Sequence, residues 1–311
     1  MFPIIPAASA AASENDEGIF GYGQDVSNAY VSMTNLVSNA GVVATDVTGV
    51  GTARGSLRAC EYGGDKGIFG FGSEVGTNLA VSMTNLVSNA GVVATDTTGV
   101  GTGRTQLEAC GYGGDKGIFG FGYHYTDATS YYVSMTNLVS NAGVVATDTT
   151  GVGTGRRGLA ACEYGGDKGI FGFGINAGGN LAVTNLVTNA GVVGTDVSTA
   201  LTAKAWLTAC GYGGDKGIFG FGTTGHPVVL SITNLVSNAG VVGTDVTGVG
   251  TGRRSLAATQ YGGDKGIFGY GDGGSSTEVS MTNLVSNTGV VATDVTGVGS
   301  DRSNLAACSF N

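Results

Sequence analysis

One unit of about fifty residues is written six times along this chain, a period that belongs to propellers, solenoids and arrays. The copies align on an Ile-Phe-Gly triplet at Ile19, Ile68, Ile118, Ile170, Ile218 and Ile267, so the steps are 49, 50, 52, 48 and 49 residues. Nearly all the variation between copies is confined to one short stretch of each. The fold therefore has to repeat, and it has to accept insertions at one place per repeat.

Composition selects among the repeating folds. Fifty-nine glycines against three prolines, with 12% charged residues and no sustained helical periodicity, predict short strands and tight turns, hence an all-β chain. At 311 residues a closed ring of repeats is one domain. A net charge of −9, with 14 basic residues spread over six copies, leaves no cationic footprint for phosphates, so no nucleic acid is expected as a partner. No apolar run approaches the ~18 residues of a membrane helix, and no membrane insertion is expected. Residues 1–13 are small and apolar but lack the positive start of a signal peptide, which predicts no export by the general pathway. They read either as an arm docking on another protein or as a disordered tail. Cys60, Cys110, Cys162, Cys210 and Cys308 share one repeat position, where Thr259 is the sixth member. Equivalent positions in neighbouring units lie farther apart than the ~5.5 Å a disulfide prefers, so buried free thiols and a reducing compartment of synthesis are expected.

The copy from Arg104 to Gly153 shows the unit. Leu107 to Tyr112 predicts a first strand, Gly113-Gly114-Asp115 a turn, and Lys116 to Gly122 a second strand carrying Ile118, Phe119 and Phe121. After a variable stretch, Val133 to Val139 predicts a third strand and Val144 to Thr147 a fourth, before a glycine-rich connector. Four strands joined by short turns make one propeller blade. The first copy begins at its second strand, Gly18 to Gly23, and Arg302 to Phe310 reads as an orphan first strand. The expectation is an arm over 1–13 and a single six-bladed β-propeller over 14–311, with the C-terminal strand completing the N-terminal blade. A β-solenoid is the alternative.

Arg54, Leu57 and Ala59 followed by Gly67-Ile68-Phe69-Gly70-Phe71-Gly72, repeated throughout, resemble the kelch-type propeller. Two departures stand out: Gly-Phe-Gly or Gly-Tyr-Gly replaces the double glycine, and the fourth-strand Trp is absent, the one Trp being Trp206 on the first strand. With its recurrent Gly-Val-Val-Ala-Thr-Asp and Asp-Lys-Gly-Ile-Phe-Gly runs, the whole chain is similar to repetitive kelch-like proteins of environmental, often marine, bacteriophages and bacteria. The resemblance implies a phage particle as the setting, with the protein a tail-fibre, receptor-binding or capsid-decorating component. Its partners would be other virion proteins, reached through the arm, and a cell-surface glycan or receptor. A secreted or surface carbohydrate-binding propeller of bacteria and a purely structural virion component are the alternatives.

All the length variation sits between the second and third strands, at residues 24–30, 73–80, 123–132, 175–182, 223–230 and 272–279. In a four-stranded blade these loops share a face with the connectors, so one face is diversified on a fixed scaffold, which suits recognition; drift is the plain alternative. The richest loop carries Tyr123, His124, Tyr125, Asp127, Tyr131 and Tyr132, which offer ring faces and hydrogen-bonding edges. Trp206 and His226 could face the same rim, although Trp206 is also expected to fill space where Lys204 replaces the usual arginine. Arg54, Arg104, Arg156, Arg253 and Arg302 and the aspartates Asp46, Asp96, Asp148, Asp196, Asp245 and Asp294 recur identically, which predicts structural roles in turns and unit-to-unit links. With two histidines in unrelated contexts and no aspartate cluster, no metal, no cofactor and no enzyme activity are expected.

Overall fold

Each copy of the repeat folds into a small antiparallel sheet, in a computed structural model that describes residues 16–274 and 277–310. The arm expected over residues 1–13 lies outside them. The described chain is all-β and holds no helix. In the copy used above, Glu108–Tyr112, Lys116–Gly120 and Thr136–Val139 form a sheet in which Ile118 stands opposite Cys110 on one side and Leu138 on the other. The same three-strand pattern recurs in the other copies. In the first, Glu17–Gly21 takes its first-strand partner from the far end of the sequence, Ala306–Phe310.

The fourth strand differs from expectation. The segment after Val144 follows the third strand through the isolated bridges Val139–Val145 and Thr136–Thr149 and an Ala146 N–H bond to Leu138 O at 2.8 Å, without a continuous ladder, and a fourth strand, Val197–Ser198, forms only in the fourth of the described copies. Among the described residues no strand pairs with its other edge, so it gains ladder bonds on one side alone. Its Val144 remains 65% exposed.

Stability resides between the sheets. Among the described residues six buried clusters occur, each shared by two adjacent copies; Cys60, Tyr62, Ile68 and Phe71 of one pack against Leu107, Ala109, Phe119 and Val139 of the next. Every junction also carries one aromatic pair, such as Phe71–Phe119 with ring centroids 5.1 Å apart, worth ~1 kcal/mol beyond the area it buries. The Ile-Phe-Gly triplet explains itself here. A Cβ on Gly120 would sit 2.8 Å from Phe171 Cζ of the following copy, so the glycine is the socket for its neighbour's ring. The thiols behave alike: all five cysteines are buried and unpaired, and Cys60 Sγ points at Gly117, where a Cβ would lie 2.5 Å away. Burial pushes the Cys210 thiol up to about 12.

The order of contact is cyclic. Each first strand packs beside the next, and Ala306–Phe310 packs beside Arg58–Tyr62. A cycle of six backbone hydrogen bonds follows the same order, through Gln106 N–H to Ser56, Gly158 to Gln106, Trp206 to Gly158, Ser255 to Trp206, Asn304 to Ser255 and Ser56 to Asn304, at 2.7–2.9 Å. These six residues precede the six leucines of the first strands, and all six have φ between 54° and 58°. The left-handed conformation aims each N–H at the neighbouring carbonyl. For the five non-glycine members that strain is offset by a satisfied backbone bond.

Candidate functional site

The six variable loops lie together beside this collar. Each loop begins by pairing with the residue that immediately precedes a collar member: Thr105 with Tyr123, Arg157 with Ile175, Ala205 with Thr223, Arg254 with Asp272, Gly55 with Ser73 and Ser303 with Gln24. Loops and connectors therefore share one side of the molecule. The collar position itself reads Ser56, Gln106, Gly158, Trp206, Ser255 and Asn304, six copies of one backbone conformation with five different residue types. Sequence reading passed over it. Its signal is a variable residue directly ahead of a fixed leucine, a second locus of variation outside the loops.

The loop of residues 123–132 is a hairpin of Tyr123–Tyr125 and Ser130–Tyr132. Tyr123 and Tyr132 form a tilted pair with centroids 5.1 Å apart, and the Arg157 guanidinium lies 4.5 Å and 5.6 Å from them and 5.6 Å from the Trp206 ring. Arg157, absent from the sequence-based candidates, thus links the hairpin to the collar. His124 stacks on Tyr131 at 4.9 Å and bonds Gly103 O through Nδ1 at 2.8 Å. Tyr125 and Tyr131 stay 43% and 46% exposed. Asp127 is exposed in the turn and joins no cluster; His226 is exposed in a separate hairpin, Thr223–Gly225 with Val228–Val229. Beside Trp206, Lys204 Nζ takes the arginine's place on Asn234 Oδ1 at 2.7 Å, and burial pulls this lysine down to about 8. The Trp206 indole lies over Gly158, where a Cβ would be 2.8 Å from Cε3.

Over the collar lies a polar cavity of about 310 Å³, lined among others by Gln106, Trp206, Arg254, Asp272, Glu278 and Asn304. Arg254 holds Asp272 through Nε at 2.9 Å and Nη2 at 2.8 Å. Asn304 donates to Gln24 Oε1 at 3.2 Å, and Ser303 Oγ touches Glu278 at 3.4 Å. The Gln106 amide oxygen is buried without a partner. Other loop carboxylates are tied down locally: Asp25 accepts from Ser27 and Ala29, and Glu74 from Thr77.

The recurrent arginines and aspartates stand away from this cavity, in the junctions. Arg104 is fully buried over the Phe71 ring at 4.7 Å, with Nη2 on Asn137 Oδ1 and Nη1 on Met135 O at 3.2 Å. Asn137 passes a hydrogen bond of 2.9 Å to Asp148, which also accepts the N–H and O–H of Thr102 at 3.0 and 2.7 Å. Arg54, Arg156, Arg253 and Arg302 reach Asn85, Asn185, Asn283 and Asn35 alike. Asp46, Asp96, Asp196, Asp245 and Asp294 close the same relay. Desolvation raises Asp148, but the hydrogen bonds from Thr102 and Asn137 outweigh it and hold the carboxyl below its ordinary value. Burial draws Arg104 down to about 10, which still leaves it charged at neutral pH.

At the other end of the first strands, Glu61, Glu163, Gln260 and Ser309 line a second opening with Gly111 and Gly211. Desolvation raises both glutamates, and at Glu163 the neighbouring Glu61 charge adds to it. Among the described residues no group of three or more His, Cys, Asp or Glu side chains could hold a metal ion, and no helix is long and apolar enough to cross a membrane. Compared against protein families and curated proteins, the sequence finds no match in either.

Proposed function

We propose that the chain is a six-bladed, kelch-like β-propeller acting as a non-enzymatic recognition module, with the loop-and-collar side as its contact surface. The ring is supported by the cycle of six collar hydrogen bonds and by the Arg302–Asn35 link, which repeats the chemistry of the other junctions. The observation that carries recognition is the collar, where one fixed backbone conformation is repeated six times while its side chains are diversified beside diversified loops. A scaffold under purely structural demand has no need of different side chains at six equivalent, hydrogen-bonded positions. The setting we propose is a bacteriophage particle, as tail fibre, receptor-binding or decorating protein, on the ground of the repeat resemblance alone.

Adsorption of the purified protein to candidate host cells tests this reading. The double substitution Tyr125→Ala, Tyr131→Ala removes the most exposed aromatics of the hairpin and is expected to reduce adsorption strongly. Unchanged adsorption together with failed particle assembly would make the protein a purely structural component. Fixed stoichiometry with capsid and tail proteins in purified particles, read by mass spectrometry, tests the setting separately.

A further inference from the structure

The geometry points to the cavity over the collar as a binding site for an uncharged pyranose, a neutral hexose or N-acetylhexosamine of a glycan. This rests on reading the diversified side as a recognition surface, and narrows that reading to one site and one ligand class.

Three features carry it. The first is size: about 310 Å³ lies at the lower end of small-ligand pockets, room for a sugar ring and not for a folded segment. The second is an aromatic wall. The Trp206 indole is fixed by a left-handed backbone, by the collar bond from its N–H to Gly158 O at 2.7 Å, and by the missing side chain of Gly158 beneath it. A pyranose presents one apolar face of C–H groups, and an immobilised indole receives such a face at little entropic cost. The third is the polar wall. Gln106 and Asn304 supply side-chain amides, the groups that can both donate to and accept from sugar hydroxyls.

Charge decides which sugars. Among the described residues Arg254 is the one cation lining the cavity, and Asp272, held through Nε and Nη2, matches its charge. Glu278 keeps only the 3.4 Å contact from Ser303, so the remaining charge is negative. A uronate, a sialic acid or a phosphate would meet a net negative lining whose one guanidinium is already charge-matched by Asp272.

Trp206 is the chain's single tryptophan and lines this cavity, so its emission reports binding there, and Gln106→Ala separates that from changes at the neighbouring hairpin. The intact protein is titrated with the methyl glycosides of glucose, galactose, mannose and N-acetylglucosamine, and with glucuronate, N-acetylneuraminate and inorganic phosphate. A saturable emission change with at least one neutral glycoside, and none with the three anions, is expected. Gln106→Ala should weaken that binding roughly tenfold without altering thermal stability. No response to any neutral glycoside, or a stronger one to an anion, overturns the proposal. Cell adsorption separates it from the broader reading. Adsorption that survives Trp206→Ala but is lost with Tyr125→Ala, Tyr131→Ala would remove the sugar site and leave the recognition surface standing; adsorption lost with Trp206→Ala and partly restored by Trp206→Tyr supports the site.

Discussion

The junction relays and the collar are both sixfold sets, yet they solve the problem of repetition in opposite ways. In a relay the side chains are the structure: Arg104, Asn137 and Asp148 each complete the next one's hydrogen bonding, so five copies keep the arginine and all six keep the asparagine and aspartate. In the collar the backbone alone closes the set, through N–H to C=O bonds, and the side chain is released from structural duty. Chemistry accumulates where the main chain carries the load.

Breaking a relay should therefore cost most. Arg104→Ala leaves Asn137 and a carbonyl without their buried donor and empties the space over Phe71, an expected loss of about 3 kcal/mol or more in denaturant unfolding. Arg302→Ala should lose as much, since it reaches Asn35 and Met33 O in the same way across the junction between the two ends of the repeat. Full loss at Arg104 with none at Arg302 would break the equivalence of the six junctions. Lys204→Arg tests the relay from the other side. Lys204 makes one such bond where arginines make two or more, so restoring the guanidinium should gain about 1 kcal/mol.

The end opposite the collar should respond to pH. Glu61 and Glu163 titrate higher folded than unfolded, so the folded state binds more protons across that window. The stability they contribute is complete in mildly acidic solution and is lost as pH rises through their folded values. Melting temperature is expected to fall by a few degrees from about pH 5 to about pH 8, and Glu163→Gln to flatten the dependence. A melting temperature that stays level across that window would mean both groups ionise as freely in the folded protein as in the unfolded chain. Smallest of all, Tyr125→Ala with Tyr131→Ala should alter stability by no more than about 0.5 kcal/mol, because both rings are largely exposed; a larger loss would make the hairpin part of the scaffold.

The period, the all-β class and the three core strands were legible because glycine, Ile-Phe-Gly and the turn residues act through local geometry that recurs in every copy. The fourth strand was not, since Gly-Val-Val-Ala-Thr-Asp has strand composition but no partner on its outer edge, and pairing is a property of neighbours. Of the candidate site, Tyr123, Tyr132 and Trp206 converge, while Asp127 and His226 stand apart, and Arg157 and Gln106 escaped notice. Arg157 sits next to Arg156 in sequence but not in role: one is buried in a relay, the other lies among aromatic rings. Alternation along a two-residue step carries that difference, and only the register of the collar fixes which member points where.

The pairing of Glu17–Gly21 with Ala306–Phe310 sets a condition on synthesis. Ile19 and Phe20 leave the ribosome first among the core residues and wait for partners encoded almost a full chain later. Until that strand emerges, the first sheet keeps an open edge, and the last junction has neither its arginine nor its collar bond. This sheet is completed only by a long-range docking step, which contact order makes slow, and its rate should influence how much of the newly made protein aggregates.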